Sequence, residues 1–409
     1  MKSPILFVGI DVSKHKHDVA IVDENKRIIQ KPFVIHENHA GYQNLIQTLN
    51  QKQNQCQAQT IAIGMEATGN YWKNLFNFLN KHDNGYHTVL INPIQTRAHA
   101  KSQLRRATTD PIAATDIAKF MAERKPKASC PINPAYELIK DLDQHRLALV
   151  KQRTANVNRL RNELAKVAPE IEKHIQKITG LQILALLKHY PTAQAICHAG
   201  PQTLQKITYG KRQWKLPMPF IRKMKNLAEN SIAYKTGPHD GYIVSALIST
   251  INHIQKQIQT TQNLIHTIFE QNLNKKSLLE SINGISANNA RILEAYIGDV
   301  NRFHNAKKIV AYFGLNPTIN QSGTSKNKKA RLQKKGNHSV RQKLFMITLN
   351  LIRHKQEPFY AFYLKLTKKG KPKLVAIAAT MRKLLVISYY LLKTKQPFME
   401  NKHQQTIES

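Results

Sequence analysis

ILFVGIDVS, residues 5–13, is a short apolar run that closes on a polar cluster, and it reads as a β-strand with a carboxylate, Asp11, at its end. HDVAIVDEN (17–25) and RIIQKPFVIHEN (27–38) follow at hairpin distances, so three strands come in succession. Beyond them AGYQNLIQTLNQ (40–51) has helical spacing, TIAIGMEATG (60–69) is strand-like, NYWKNLFNFLNKH (70–82) is helical and YHTVLINP (86–93) is another strand. The order βββαβαβ, with a further helix over about 109–124, predicts a mixed sheet with helices on its faces.

The 409 residues suffice for two or three domains, and 41% hydrophobic residues can build real cores. Against 25 acids stand 62 lysines and arginines, a formal charge of +37 that calls for a polyanionic partner. Nucleic acid is the expected one. A membrane surface is not, because the chain shows no apolar run of about 18 residues and no signal peptide. Cys56, Cys130 and Cys197 lie far apart without metal-ligand spacing, which fits a reducing bacterial or archaeal cytoplasm. The 18 histidines are scattered, and their one cluster, His15-Lys16-His17, reads as a solvated turn after the first strand.

From Pro134 the texture changes. Val150, Val157, Leu160, Leu164 and Val167 keep a heptad-like seam, and Leu247, Ile251, Ile254, Ile258, Thr261, Ile265 and Ile268 keep a cleaner one. Two long helices are expected to pair, within or between chains. Between them residues 181–230 form a small helical insert with the basic aromatic patch YGKRQWKLPMPFIRKMK (209–225). LLESINGISANNARILEAYIGDVNRF (278–303) reads as a helical hairpin pivoting on Gly284. From Val300 to Gln356 there are 13 lysines and arginines and no acid, a bias that points to phosphate contact along the segment. VAIAATMRKLLVISYYLLK (375–393) is a basic apolar packing helix before a polar tail.

Asp11 repeats at Glu66, the end of a later strand. One such carboxylate is an ordinary solvated strand end, but two on neighbouring strands suit a hard divalent cation, which needs several oxygens converging. RRATTDPIAATD (105–116) supplies a third, Asp110, at the start of the following helix. Far downstream, NQSGTSKNKKARLQKKGN (320–337) sets a Ser-Gly before six cations: Lys326, Lys328, Lys329, Arg331, Lys334 and Lys335. On its own this is either a flexible phosphate clamp or a cradle for one hydroxyl.

The order GIDVSK, E-x-T-G, a helix opening on T-D, then AYFGLNP, Q-S-G and K-x-G-N resembles the DEDD insertion-sequence transposases. These are bridge-RNA-guided serine recombinases related to the pilin-gene invertases. The resemblance runs to about residue 350. It implies an α/β RuvC-like (ribonuclease-H-type) N-terminal domain over 1–128, a coiled-coil linker over 129–280 and a mainly helical C-terminal transposase domain over 281–355, with a helix and tail over 356–409. Asp11, Glu66 and Asp110 fall on the first three acidic positions, as ligands for Mg²⁺ (or Mn²⁺), and Ser322 falls on the nucleophilic serine. The partners implied are donor and target DNA, a guide RNA, and further copies of the chain in a dimer or a dimer of dimers.

The fourth acid of the pattern belongs three residues after the third, where this chain has Ala113. Residues three apart on a helix share a face, whereas Asp116, six on, does not share it. Three accounts stand: an engineered inactive variant, which the otherwise intact motifs favour; a decayed natural copy; or a later helix start that lets Asp116 serve. For nucleic-acid contact the candidates are the six cations after Ser322, Arg105 and Arg106 before Asp110, and Lys211, Arg212 and Trp214, whose indole can stack on bases. Two other functions fit the composition: a RuvC-like endonuclease or junction resolvase using water, and a non-catalytic nucleic-acid-binding protein.

Overall fold

A computed structural model describes residues 4–81, 85–102, 109–129, 133–237, 239–273, 276–318, 321–322, 326–327, 331–332 and 336–399. The chain divides into two compact units, Met1–Pro131 and Ile132–Ser409.

In the first unit the strands are β1 (Ile5–Val12), β2 (Lys16–Val22), β3 (Ile28–His36), β4 (Thr60–Glu66) and β5 (His87–Ile91), and the helices are α1 (His39–Gln55), α2 (Trp72–Lys81), α3 (Pro93–Ser102) and α4 (Asp110–Arg124). The sheet order is β3-β2-β1-β4-β5. β1 pairs antiparallel with β2, and β2 with β3, while β1–β4 and β4–β5 are parallel. The sheet is therefore mixed, as the alternation of strand and helix patterns predicts.

One sheet face packs on α4, joining Phe7, Val22, Ala62, Val89 and Ile91 to Ile117, Ala118, Phe120 and Met121. Gly9 and Gly64 sit side by side on the two central strands and let α4 come close. A Cβ on Gly9 would lie 2.1 Å from the Ala114 carbonyl oxygen, and one on Gly64 would meet the Met121 side chain at 2.5 Å. Because α4 passes Gly9 at Ala114 and Ala118, its first turn reaches back over the carboxyl end of β1.

The second unit is built from helices: α5 (Pro134–Val167), α6 (Pro169–His174), α7 (Leu181–His189), α8 (Ala193–His198), α9 (Pro201–Gln205), α10 (Met218–Glu229), α11 (Tyr242–Asn272), α12 (Ala287–Ile297), α13 (Ala306–Tyr312), α14 (His338–Arg353), α15 (Phe359–Lys368) and α16 (Lys373–Thr394). α5 and α11 pair within the chain and run antiparallel, since Ile139 shares a cluster with Ile265 and Ile268, Leu149 with Ile254 and Ile258, and Leu160 with Ile248 and Ile251. The seam on α11 differs at its start: Val244 and Ile248 are buried, whereas Leu247 is only partly covered.

Three further expectations change. The stretch before Gly284 is one 3₁₀ turn, Leu278–Ser281, closed by a Ser277/Glu280 capping box, not the first arm of a helical hairpin. α16 is, by length and composition, apolar enough to cross a membrane. Its buried residues, among them Ile377, Leu384, Leu385 and Leu391, pack in the core shared with α12, α13 and α14, which accounts for the apolar run. His17 lies in β2 and is fully buried, because the turn ends before Lys16.

Candidate functional site

The parallel register pairs Ile10 with Met65, so Asp11 and Glu66 are the next residues along adjacent strands. Side chains alternate along a strand, and this parity places both on the face that carries α4. Asp110 opens α4, whose first turn also holds Pro111 behind the Thr109 cap. On the other side of β1, Asp18 stands directly opposite Asp11 in the antiparallel ladder. Asp18 is only 4% exposed.

These carboxylates feel one another. Burial, then the charges of Asp110, Glu66 and Asp18, push the Asp11 carboxyl up to about 6. Asp18 is also raised, by burial and by Asp110, with Lys16 and His17 pulling the other way. Glu66 is held by two hydroxyls: Thr68 Oγ1 donates to Oε1 at 2.7 Å, and Thr96 Oγ1, from α3, donates to Oε2 at 2.7 Å. Among the described residues, no three of His, Cys, Asp and Glu close around one metal position. The donors are nonetheless all hard carboxylate oxygens whose mutual repulsion a divalent cation would relieve, so their chemistry fits such an ion.

Asp18, Thr68 and Thr96 lie outside the residues singled out from sequence. The first was visible as the acid opening DVAIV, but only the strand pairing shows that it faces Asp11. Ala113 lies half-buried one turn into α4, and Asp116 is buried at 6% exposure. α4 starts at Asp110 with Pro111 in its first turn, and Asp116 stands six residues further along the same helix.

The opposite face of the sheet carries a second polar group. His17 Nε2 pairs with Glu37 Oε2, the Tyr42 hydroxyl donates to the same oxygen at 2.5 Å, and Asn74 Nδ2 donates to Oε1 at 2.9 Å. Burial alone would raise Glu37, but these bonds and the His17 charge bring it below the usual glutamate value.

In the second unit the acid-free segment forms two nested ladders. Pro317–Thr318 pairs with Arg331–Leu332, and Gln321–Ser322 pairs with Lys326–Asn327, Ser322 opposite Lys326. The backbone at Ser322 is thus part of a hairpin arm. The side chains of Ser322, Lys326 and Arg331, and all of Arg105, Arg106, Lys328, Lys329, Lys334 and Lys335, lie outside the described residues. The aromatic patch of the insert is a hairpin, Thr208–Tyr209 against Trp214–Lys215. Trp214 is 56% exposed, Arg212 lies 5.9 Å from its ring centre and Lys211 is exposed beside them.

A carboxylate-edged mixed sheet and a basic helical unit are the build of a nucleic-acid-processing protein, and two family models match the chain. One, described as Transposase, covers residues 8–169, and another, described as Transposase IS116/IS110/IS902 family, covers residues 276–364. A pilin gene-inverting protein of Moraxella bovis is 26% identical over 400 residues, covering 97% of this chain and 99% of the relative. An insertion element IS116 uncharacterized 44.8 kDa protein of Streptomyces clavuligerus is 22% identical over 397 residues, covering 96% of each. The chain belongs to the IS110 family of insertion-sequence transposases, which are DNA-recombining enzymes.

Proposed function

We propose that this chain is an RNA-guided transposase that cuts and rejoins donor and target DNA through a transient phosphoserine at Ser322. The observation that carries the reading is the placement of Asp11 and Glu66 side by side beneath the first turn of α4, where Asp110 adds a third charge. The sheet order, two antiparallel pairings followed by two parallel ones, supports a RuvC-like domain by analogy.

In this scheme the Ser322 oxygen attacks a phosphodiester phosphorus. The serine O–P bond forms, the bond from phosphorus to one sugar oxygen breaks, the serine proton passes to a base, and the departing oxygen takes up a proton. Rejoining is the reverse, with an incoming sugar hydroxyl displacing the serine. Lys326, Lys328, Lys329, Arg331, Lys334 and Lys335 hold the phosphates around it. Asp11, Glu66 and Asp110 would hold Mg²⁺ or Mn²⁺, which when bound supplies positive charge to the transferring phosphoryl group. Ala113 withdraws one oxygen donor from that set, so the chain as written is an impaired catalyst.

Serine and carboxylates belong to different units, so they are brought together either by folding back within the chain or by exchange between subunits of a dimer or a dimer of dimers. Trp214, Lys211 and Arg212 offer stacking and charge to the guide RNA, and Arg105 and Arg106 add backbone contacts near Asp110.

The deciding experiment incubates the Ala113→Asp protein with labelled element DNA, target DNA, the element's own small RNA and Mg²⁺, with Ser322→Ala in parallel. Label carried by the protein through a denaturing gel, lost in Ser322→Ala, is the expected result. Cut DNA without attached protein, unchanged in Ser322→Ala, would replace this reading with a water-using resolvase.

A further inference from the structure

AYFGLNP (311–317) belongs to none of the chemistry above, yet its aromatic residue is unusually placed. Tyr312 ends α13 and is 51% exposed, although it touches three other side chains. The Arg302 guanidinium lies over its ring, 4.7 Å from the centre, and also 4.6 Å from the ring centre of Phe303. Arg302 is tethered in turn, donating from Nη2 to the Ile297 carbonyl at 2.9 Å. Phe303 and Phe313 meet the Tyr312 ring edge-on at 5.4 and 5.0 Å. The ring is therefore held stiff from several sides while half of the residue stays in solvent.

The backbone at Tyr312 is closely packed as well. Gly336, four residues beyond Leu332, has φ +127°, and a Cβ there would lie 2.5 Å from the Tyr312 carbonyl oxygen. Arg341, on α14, donates from Nη1 to the Phe313 carbonyl at 3.3 Å, which sets a second guanidinium beside the same turn. No acid occurs in the sequence from Val300 to Gln356, the segment that supplies both arginines.

A rigid, half-open aromatic ring with one guanidinium over it and a second bonded to the next residue's carbonyl suits one ligand class. A nucleobase stacks on the ring, and its flanking phosphates reach the arginines. We propose that Tyr312 is the stacking platform for an unpaired DNA base at the root of the arm that carries Ser322, with Arg302 and Arg341 holding the adjacent phosphates. The occupant is a DNA strand, because the arm is where DNA strands are exchanged; the assignment rests on the reading of Ser322 given above. Stacking there would hold a strand end open while it is unpaired from its partner.

The test uses the full chain and oligodeoxythymidine, with an abasic strand of equal length as control. Tyr312→Leu should weaken binding of the base-bearing strand by roughly tenfold, as loss of one stacked base would. It should leave the weaker binding of the abasic strand unchanged. Tyr312→Trp, which keeps a stacking face, should bind like the parent and so separates stacking from a folding defect. Equal loss on both strands, or no loss on either, would overturn the proposal. An oligoribonucleotide that responds to Tyr312→Leu where oligodeoxythymidine does not would overturn the assignment to DNA. The covalent assay on Ser322 reads separately: base-dependent binding without a phosphoserine removes the recombination scheme and leaves the platform, whereas a phosphoserine with base-independent binding does the opposite.

Discussion

Asp11 and Asp18 face each other across the β1–β2 ladder, one at the end of a strand and the other at 4% exposure in its neighbour. Like charges directly opposite one another destabilise a sheet, and burial sharpens the effect. Asp18→Asn should therefore raise the midpoint of thermal unfolding in metal-free buffer, by an amount equivalent to about 1 kcal/mol. The rise produced by adding Mg²⁺ should shrink in the same variant. A lower midpoint without metal would mean that Asp18 is held by a group that prefers its charge.

Ala113→Asp adds a carboxylate one turn from Asp110. Divalent-ion affinity, followed by the unfolding midpoint against Mn²⁺ concentration, should improve at least about tenfold. The same substitution should lower stability without metal, since it adds to the repulsion that already raises Asp11. A variant indifferent to Mn²⁺ would place the cation elsewhere.

Gly9→Ala drives a methyl group into the backbone of α4, at 2.1 Å from the Ala114 oxygen and 2.3 Å from the Ala118 nitrogen. Overpacking against backbone that cannot yield should cost about 1–3 kcal/mol in urea unfolding, and should loosen Asp110 over the strand ends. Gly64→Ala meets side chains and no backbone, Met121 at 2.5 Å and Ile91 Cδ1 at 2.9 Å, and should cost less.

Glu37 is held below the usual 4.5 by its three partners despite burial. A depressed carboxyl contributes stability that is fully present above pH 4.5 and is lost as pH falls through the lowered value. Glu37→Gln should thus be less stable than the parent at neutral pH, and the gap should close as the solution is acidified below that point. A gap that is constant with pH would assign the effect to packing alone.

Asp143 on α5 is wholly buried and bonds Lys343 of α14 at 2.8 Å, with Arg146 at 2.9 Å and the Tyr296 hydroxyl at 3.3 Å. Asp143→Ala strands the Lys343 charge and should cost about 3–5 kcal/mol. Replacing both, Asp143→Leu with Lys343→Met, should recover part of that loss, the remainder being the partner that Arg146 still lacks. Circular-dichroism melts of the single and double variants separate the two cases.

Much of the first unit was legible because strand and helix periods differ and each apolar run is bounded by polar residues. The order of strands, the end positions of Asp11 and Glu66, and α4 opening at Asp110 all follow from local pattern. The charge of +37 and the acid-free stretch marked a polyanion partner without any fold. Pairing was not legible. That Asp18 opposes Asp11, that Thr96 comes from α3 to bond Glu66, and that His17 is buried against Glu37 all depend on register between separate segments, to which local spacing is blind. The same holds for α5 and α11, whose seams were plain, while their antiparallel union within one chain was decided by the connection through α6–α10. It holds most clearly for Tyr312, whose ring is held by Arg302, Phe303 and Phe313. Sequence alone determined which residue types this protein places at strand ends and along its basic segment. Tertiary structure alone decided which of them meet, because hydrogen-bond register and close backbone packing are properties of pairs of segments, not of either segment by itself.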